Sequence, residues 1–199
     1  MQKNALMKTT VKQIFGNWDL GYVLDKHTIS STPSGTNAYG YPTYNTIRTE
    51  IGESIYKLKY QNDWSQVEPL AAELATTIYP KFLDVGLIVP MAASTARNRQ
   101  PVTEVVHALC KLVEKPCFEN LIIKTPNGKS LKDLNSKAEK IEALQGTIGL
   151  NEAITNEGIW NLLLVDDLFH TGASLEAVCA TLRSYRKIGK IYVATLTWR

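Results

Sequence analysis

Apolar positions along the chain recur either as short continuous runs or at helical intervals, and the two patterns alternate. Ile51, Ile55 and Leu58 predict a helix over residues 49–60, ended by Gln61-Asn62-Asp63. Val67, Leu70, Ala71, Leu74, Ala75 and Ile78 form a second inward stripe, closed by Pro80. Residues 83–89 read as a buried strand. Pro101 then opens a helix that faces inward through Val102, Val105, Val106, Leu109, Leu112 and Val113. Residues 118–124 read as a third strand, followed by the turn Thr125-Pro-Asn-Gly and a helix capped by Ser130, with Leu131, Leu134, Ala138, Ile141 and Leu144 on one side. Leu162 to Val165 is an apolar run of the kind expected when both faces of a strand are covered. It ends abruptly in Asp166 and Asp167; a short turn leads to Leu175, Val178, Cys179 and Leu182 at helical spacing, and residues 191–196 form another strand. Before these units, the loose alternation of residues 11–25, with Gly16-Asn17 and Gly21, predicts a small antiparallel element. Residues 27–46, rich in Ser, Thr, Gly, Pro, Asn and Tyr, predict a long loop. Strands interleaved with helices predict an α/β fold with a mainly parallel sheet.

Composition narrows the class. The 199 residues are 44% hydrophobic and 21% charged, ordinary for a globular chain with one main domain. A net charge of +3 gives nucleic-acid binding little support. The three cysteines, Cys110, Cys117 and Cys179, fit no zinc spacing, and Cys110 and Cys179 fall on inward helix positions. The sequence shows neither a membrane-spanning stretch nor a signal peptide, so a reduced cytoplasmic setting is expected.

The chemistry concentrates after the 162–165 run. A helix start carries free N–H groups and the positive end of the helix dipole, so the loop His170-Thr171-Gly172-Ala173-Ser174 is an anion site. Gly172 lets the backbone approach an oxyanion, and the Thr171 and Ser174 hydroxyls add donors. Asp166 and Asp167 would repel a phosphate placed on them, but they can accept hydrogen bonds from a sugar diol or hold Mg²⁺ through water. Together the two features describe a ribose 5-phosphate cradle. A buried strand with two solvated acids and a capped helix is the plainer alternative. A second loop, after the 83–89 strand, carries Arg97 and Arg99, which can neutralise a diphosphate or simply face solvent. Gly128-Lys129-Ser130 is not a Walker A motif, because Ile123 stands where its first glycine belongs. His27 reads as an exposed or turn-stabilising residue, and Tyr39, Tyr41 and Tyr44 as surface cover or as ligand-ring contacts.

The run Leu-Leu-Leu-Val-Asp-Asp-Leu-Phe-His-Thr-Gly-Ala-Ser resembles the phosphoribosyl pyrophosphate (PRPP) signature of type I phosphoribosyltransferases, and within them the ComF-type branch. Leu58-Lys59-Tyr60 before Asp63 resembles the same branch. The resemblance implies a type I fold with a core over residues 49–199 and an acceptor-selecting N-terminal hood over residues 1–48. It implies an Mg²⁺-dependent enzyme that binds PRPP, transfers the phosphoribosyl group to a nitrogenous acceptor and releases pyrophosphate. Asp166 and Asp167 would be the catalytic acids, gripping the ribose and holding Mg²⁺ through water; His170 to Ser174 would hold the 5-phosphate. Ala92, Ala93, Ser94, Arg97 and Arg99 would form the pyrophosphate loop. Residues 124–149 would form a lid, with Lys124, Lys129, Lys137 and Lys140 as its candidate cations. A homodimer is compatible with the resemblance. ComF-type relatives carry an Arg-Gly-Phe-Asn-Gln-like run where this chain has Arg-Asn-Arg-Gln-Pro-Val. That departure favours the alternative of a non-catalytic PRPP or nucleotide sensor, or a ComF-like DNA-uptake accessory protein.

Overall fold

The computed structural model describes residues 7–93, 97–125, 136, 139, 143–144 and 146–199. The predicted helix over residues 131–144 falls almost wholly outside these. The main sheet has five strands in the order β1 (Lys12–Gln13), β2 (Leu20–Lys26), β9 (Ile188–Trp198), β8 (Trp160–Phe169) and β5 (Val85–Pro90). β2, β9, β8 and β5 run parallel, and β1 is antiparallel to β2. This is the predicted class.

Side-chain alternation explains how the middle strands bury both faces. On β8, Leu163 and Val165 enter one core while Leu162 and Leu164 enter the other. On β9, Tyr192, Ala194 and Leu196 face the first core, and Ile191 and Val193 the second. The first core is roofed by helices α1 (Glu50–Tyr60), α2 (Val67–Glu73) and α3 (Pro101–Val113). The second is roofed by α4 (Ala173–Arg183) through Leu175, Val178, Cys179 and Leu182. α2 continues as a π turn over Leu74–Ile78, and a 3₁₀ turn with Pro80 in it follows. α1 starts at Thr49, whose hydroxyl accepts from the Gly52 N–H at 3.1 Å. Gly52 has no substitute there, because a Cβ would lie 2.0 Å from the His27 carbonyl oxygen.

Three local expectations are corrected. Residues 27–46 are not a loop: Thr28–Thr36 (β3) and Pro42–Arg48 (β4) form an antiparallel hairpin separate from the main sheet. The hairpin is exposed along nearly its whole length, so no core selects an apolar alternation that would reveal it. β2, expected within the N-terminal appendage, is an interior strand of the main sheet. The third predicted strand is not a strand of the main sheet: among the described residues the chain meets β5 at a parallel bridge between Cys117 and Ile88, just before it, with the Phe118 N–H donating to the Ile88 carbonyl. Its end, Ile122–Lys124 (β6), pairs antiparallel with Ile148–Leu150 (β7) off the main sheet. Among the described residues, no helix is long and apolar enough to cross a membrane.

Leu163 is 1% exposed and lies on the strand on which both cores depend. Leu163→Ala should cost about 2–5 kcal/mol of unfolding free energy, measured by urea denaturation. A loss under about 1 kcal/mol would mean that β8 is not the packed centre.

Candidate functional site

β8 does not stop at Val165. It pairs with β9 as far as Phe169 and Trp198, so Asp166 and Asp167 sit within the last part of the strand. Both are partly exposed where Leu162 to Val165 are buried. Successive strand residues point to opposite faces. Asp167 lies on the helix side, where Lys59 from the last turn of α1 reaches its Oδ2 at 2.5 Å. Asp166 lies on the other side, close enough to Lys124 of β6 for their charges to interact. The Asp167 N–H donates to Asp166 Oδ1 at 2.8 Å.

The two acids resolve their repulsion differently. Burial, and then the charge of Asp167, push the Asp166 carboxyl up to about 8. Burial opposes the charge on Lys59, but the Asp167 carboxylate outweighs it and the ammonium pKa is raised. Burial lowers the Lys124 pKa, an effect that Asp166 partly offsets.

Beyond β8 the chain turns through the exposed His170 into Thr171 and Gly172. Gly172 is the N-cap of α4 at φ +79°, a left-handed conformation that favours glycine, and no side chain caps the helix. Its first turn therefore leaves the backbone N–H groups of Ala173 and Ser174 without intrahelical partners. Thr171 and Ser174 are partly exposed; Gly172 and Ala173 are buried. Phe169 packs beneath Gly172 and meets the Trp18 ring edge to face at 6.3 Å.

The loop after β5 runs beside this edge. Its Met91 N–H donates to the Val165 carbonyl at 2.8 Å. Ala92, Ala93, Asn98, Arg99 and Lys124 are among the residues lining a cleft of about 400 Å³ between this loop, the start of α3 and β6. Neither aspartate lines it; Lys124, which does, is near Asp166. Arg97 donates to the Lys59 backbone carbonyl at 3.2 Å, which ties the loop to the last turn of α1. Arg99 points elsewhere: it pairs with Glu104 at 2.6 Å and lies 4.0 Å over the Trp64 ring. Ser94, Lys129, Lys137 and Lys140 lie outside the described residues.

His27 is the residue sequence reading undervalued. The Thr197 hydroxyl donates to the Asp167 carbonyl at 2.9 Å, so its oxygen is left to accept from His27 Nδ1 at 3.1 Å. This places a proton on Nδ1, so that in the neutral ring Nε2 carries the lone pair. Burial, and then the cations Arg199 and Arg48, lower its pKa. The signal was spatial: β2 ends beside the end of β9, which only the strand order reveals.

No family model matches the chain. The chain is 23% identical over 155 residues to the competence protein ComFC of Bacillus subtilis, covering 77% of this chain and 61% of that protein. It therefore spans less than two thirds of the length of that relative. It superposes on adenine phosphoribosyltransferase from Trypanosoma brucei, solved with AMP, pyrophosphate and ribose-5-phosphate, with a TM-score of 0.52 at 10% identity. That match covers 96% of this chain and 75% of the other. A second adenine phosphoribosyltransferase, from Leishmania tarentolae, gives a TM-score of 0.47 at 9% identity, over 96% and 95% of the two chains. The chain has the type I phosphoribosyltransferase fold and is similar in sequence to a ComF protein.

The Asp166 environment gives a pH signature. Its carboxyl binds a proton at about 8 in the fold against an ordinary 3.8. The stability of the protonated form is therefore whole below the ordinary value and is lost as pH rises through the folded one. In urea melts with chelator present, wild type should lose stability relative to Asp166→Asn from about pH 4 to pH 8, by a few kcal/mol. Parallel pH profiles for the two proteins would remove Asp166 as the titrating group.

Proposed function

We propose that the chain is a phosphoribosyltransferase that binds PRPP with Mg²⁺, transfers the 5-phosphoribosyl group to a nitrogenous acceptor and releases pyrophosphate. The observation that carries the reading is the pair of partly exposed acids at the end of β8, followed within one turn by a helix start that no side chain caps. The acids can accept from a sugar diol, and the α4 amides with the Thr171 and Ser174 hydroxyls can donate to the 5-phosphate.

The donor set also suits Mg²⁺. Among the described residues, no group of three or more His, Cys, Asp or Glu side chains is gathered for a metal. Mg²⁺ commonly takes one or two carboxylates with substrate phosphates and water. Asp166 and Asp167 would hold it through water, and it would neutralise charge on the diphosphate. The chain's own residues supply position and field. Lys59 places positive charge beside Asp167, Arg97 would supply a cation to the diphosphate from the loop after β5, and the Ala92–Ala93 backbone would admit the leaving group closely. Proton loss from Asp166 on ligand binding would leave a carboxylate that favours the positive charge developing on the ribose as the diphosphate departs. His27 Nε2 is an acceptor suited to an N–H of the incoming nucleophile, and the β3–β4 hairpin with its exposed tyrosines would act as the hood.

A second reading keeps the 5-phosphate cradle without chemistry, as a PRPP or nucleotide sensor or a ComF-like DNA-uptake accessory protein. The engagement of Arg99 with Glu104 and Trp64, away from the acids, favours it.

Pyrophosphate release from PRPP and Mg²⁺, screened across nitrogenous acceptors, separates the two. The transferase reading expects release that falls at least about a hundredfold in Asp166→Asn/Asp167→Asn. Thr171→Val should weaken PRPP binding about tenfold by calorimetry, about 1.4 kcal/mol. PRPP binding without release under any acceptor would favour the sensor; release that survives loss of both carboxylates would end the transferase account.

A further inference from the structure

Away from the acids, two cysteines meet at the far end of α3. Cys110 lies in its last turn, and Glu114 at φ 53° reverses the chain beyond it. The Lys115 N–H returns to the Cys110 carbonyl at 3.1 Å. The next residues are clamped to β5: Ile88 N–H donates to the Pro116 carbonyl at 3.0 Å, and Phe118 N–H donates to the Ile88 carbonyl at 2.9 Å. Cys117, between those two bonds, packs against the first core, which contains Cys110, and the two thiols lie near enough to shift each other's pKa. His107, one turn earlier on α3, also lies near Cys117, while its Nε2 pairs with Glu119 Oε2 at 2.9 Å. Cys110 is buried and Cys117 partly exposed.

We propose that Cys117 and Cys110 form a dithiol modification site, in which Cys117 captures a small-molecule disulfide of the glutathione class and Cys110 resolves the product to an internal disulfide. The Cys117 thiolate attacks one sulfur of the disulfide and the S–S bond breaks, releasing one glutathione thiolate. Cys110 then loses its proton and attacks Cys117, expelling the second glutathione. The two cysteines are oxidised by two electrons, and one glutathione disulfide is reduced to two glutathiones. The two thiols are suited to unequal roles. Cys110 lowers the Cys117 pKa against burial, with His107 adding to the effect. Cys117 in turn, with burial, raises that of Cys110. Cys179 is an internal control, its thiol pushed up by burial to about 12. The site stands apart from the phosphoribosyl reading and does not depend on it.

The test treats the reduced full chain with glutathione disulfide at neutral pH, followed by intact mass and peptide mapping. Wild type should end as a Cys110–Cys117 disulfide that retains no glutathione. Cys117 should be captured at least about tenfold faster than Cys179. Cys110→Ala should retain one glutathione on Cys117, and His107→Ala should slow capture. Glutathione that persists on wild-type Cys117, or Cys117 reacting no faster than Cys179, would overturn the proposal. The wild-type mapping decides this even where a variant fails to fold.

Discussion

Adjacent carboxylates at the end of a packed strand must each find relief from the other's charge. Here the pleat of β8 divides the task. Asp167 falls on the helix side and receives the Lys59 ammonium, a pair with both side chains largely covered. Asp166 falls on the other side, where Lys124 is near but its own charge is disfavoured by burial, and it holds its proton to about 8. One acid is compensated by a cation and the other by staying neutral. The backbone bond from Asp167 N–H to Asp166 Oδ1 ties the two solutions together.

That division follows from the packing of the sheet. Leu163 and Val165 fill the first core, so Asp167, of the same parity, must emerge under α1 and meet whatever its last turn presents. Lys59 is there because α1 starts at Thr49 and buries Ile51, Ile55 and Leu58, which leaves its C-terminal turn over the sheet edge. Gly52 allows α1 to lie against the His27 carbonyl, and His27 in turn reaches Thr197 and, through it, the Asp167 carbonyl. Helix, strand end and histidine are thus one connected arrangement around a single carboxylate.

How far the sequence disclosed this depends on the range of each signal. The Asp-Asp and Thr-Gly-Ala-Ser run was legible because its parts are neighbours in the chain, and a buried strand followed by a helical stripe leaves an unmistakable pattern. The β5 and α3 unit was legible for the same reason. What could not be read were contacts set by strand order. β2 shows little alternation because its buried residues serve both cores: Val23 faces one and Leu24 the other. β3 and β4 carry almost no burial signal. On β5 the register shift between Val85 and Leu87 puts Val85 and Ile88 on the same face three residues apart, which no period-two reading allows. The role of His27 required knowing that β2 lies beside β9. Arg99 was legible as a cation in the loop after β5, but its partner Glu104 belongs to the following helix, and charge alone does not say which anion a guanidinium will choose.

That choice of partner carries less weight than its short distance suggests. The Arg99 and Glu104 side chains are 48% and 28% exposed, and ion pairs at such surfaces contribute only about 0–1 kcal/mol. Stacking on Trp64 adds about 0.5–1 kcal/mol at an exposed site. A doubly charged diphosphate offers a guanidinium bidentate, charge-assisted bonds of about 1.5–3 kcal/mol each. Under the transferase reading, exchanging Glu104 for the leaving group is therefore energetically accessible, and Arg99 acts as a cation recruited on binding. The Lys59–Asp167 pair is covered on both sides, and breaking it would strand a charge, so that half of the site stays fixed. Under the same reading, a fixed acid edge and a cation that is recruited only on binding would give the asymmetry that a departing diphosphate needs: the ribose would stay where it is gripped while its leaving group is drawn away.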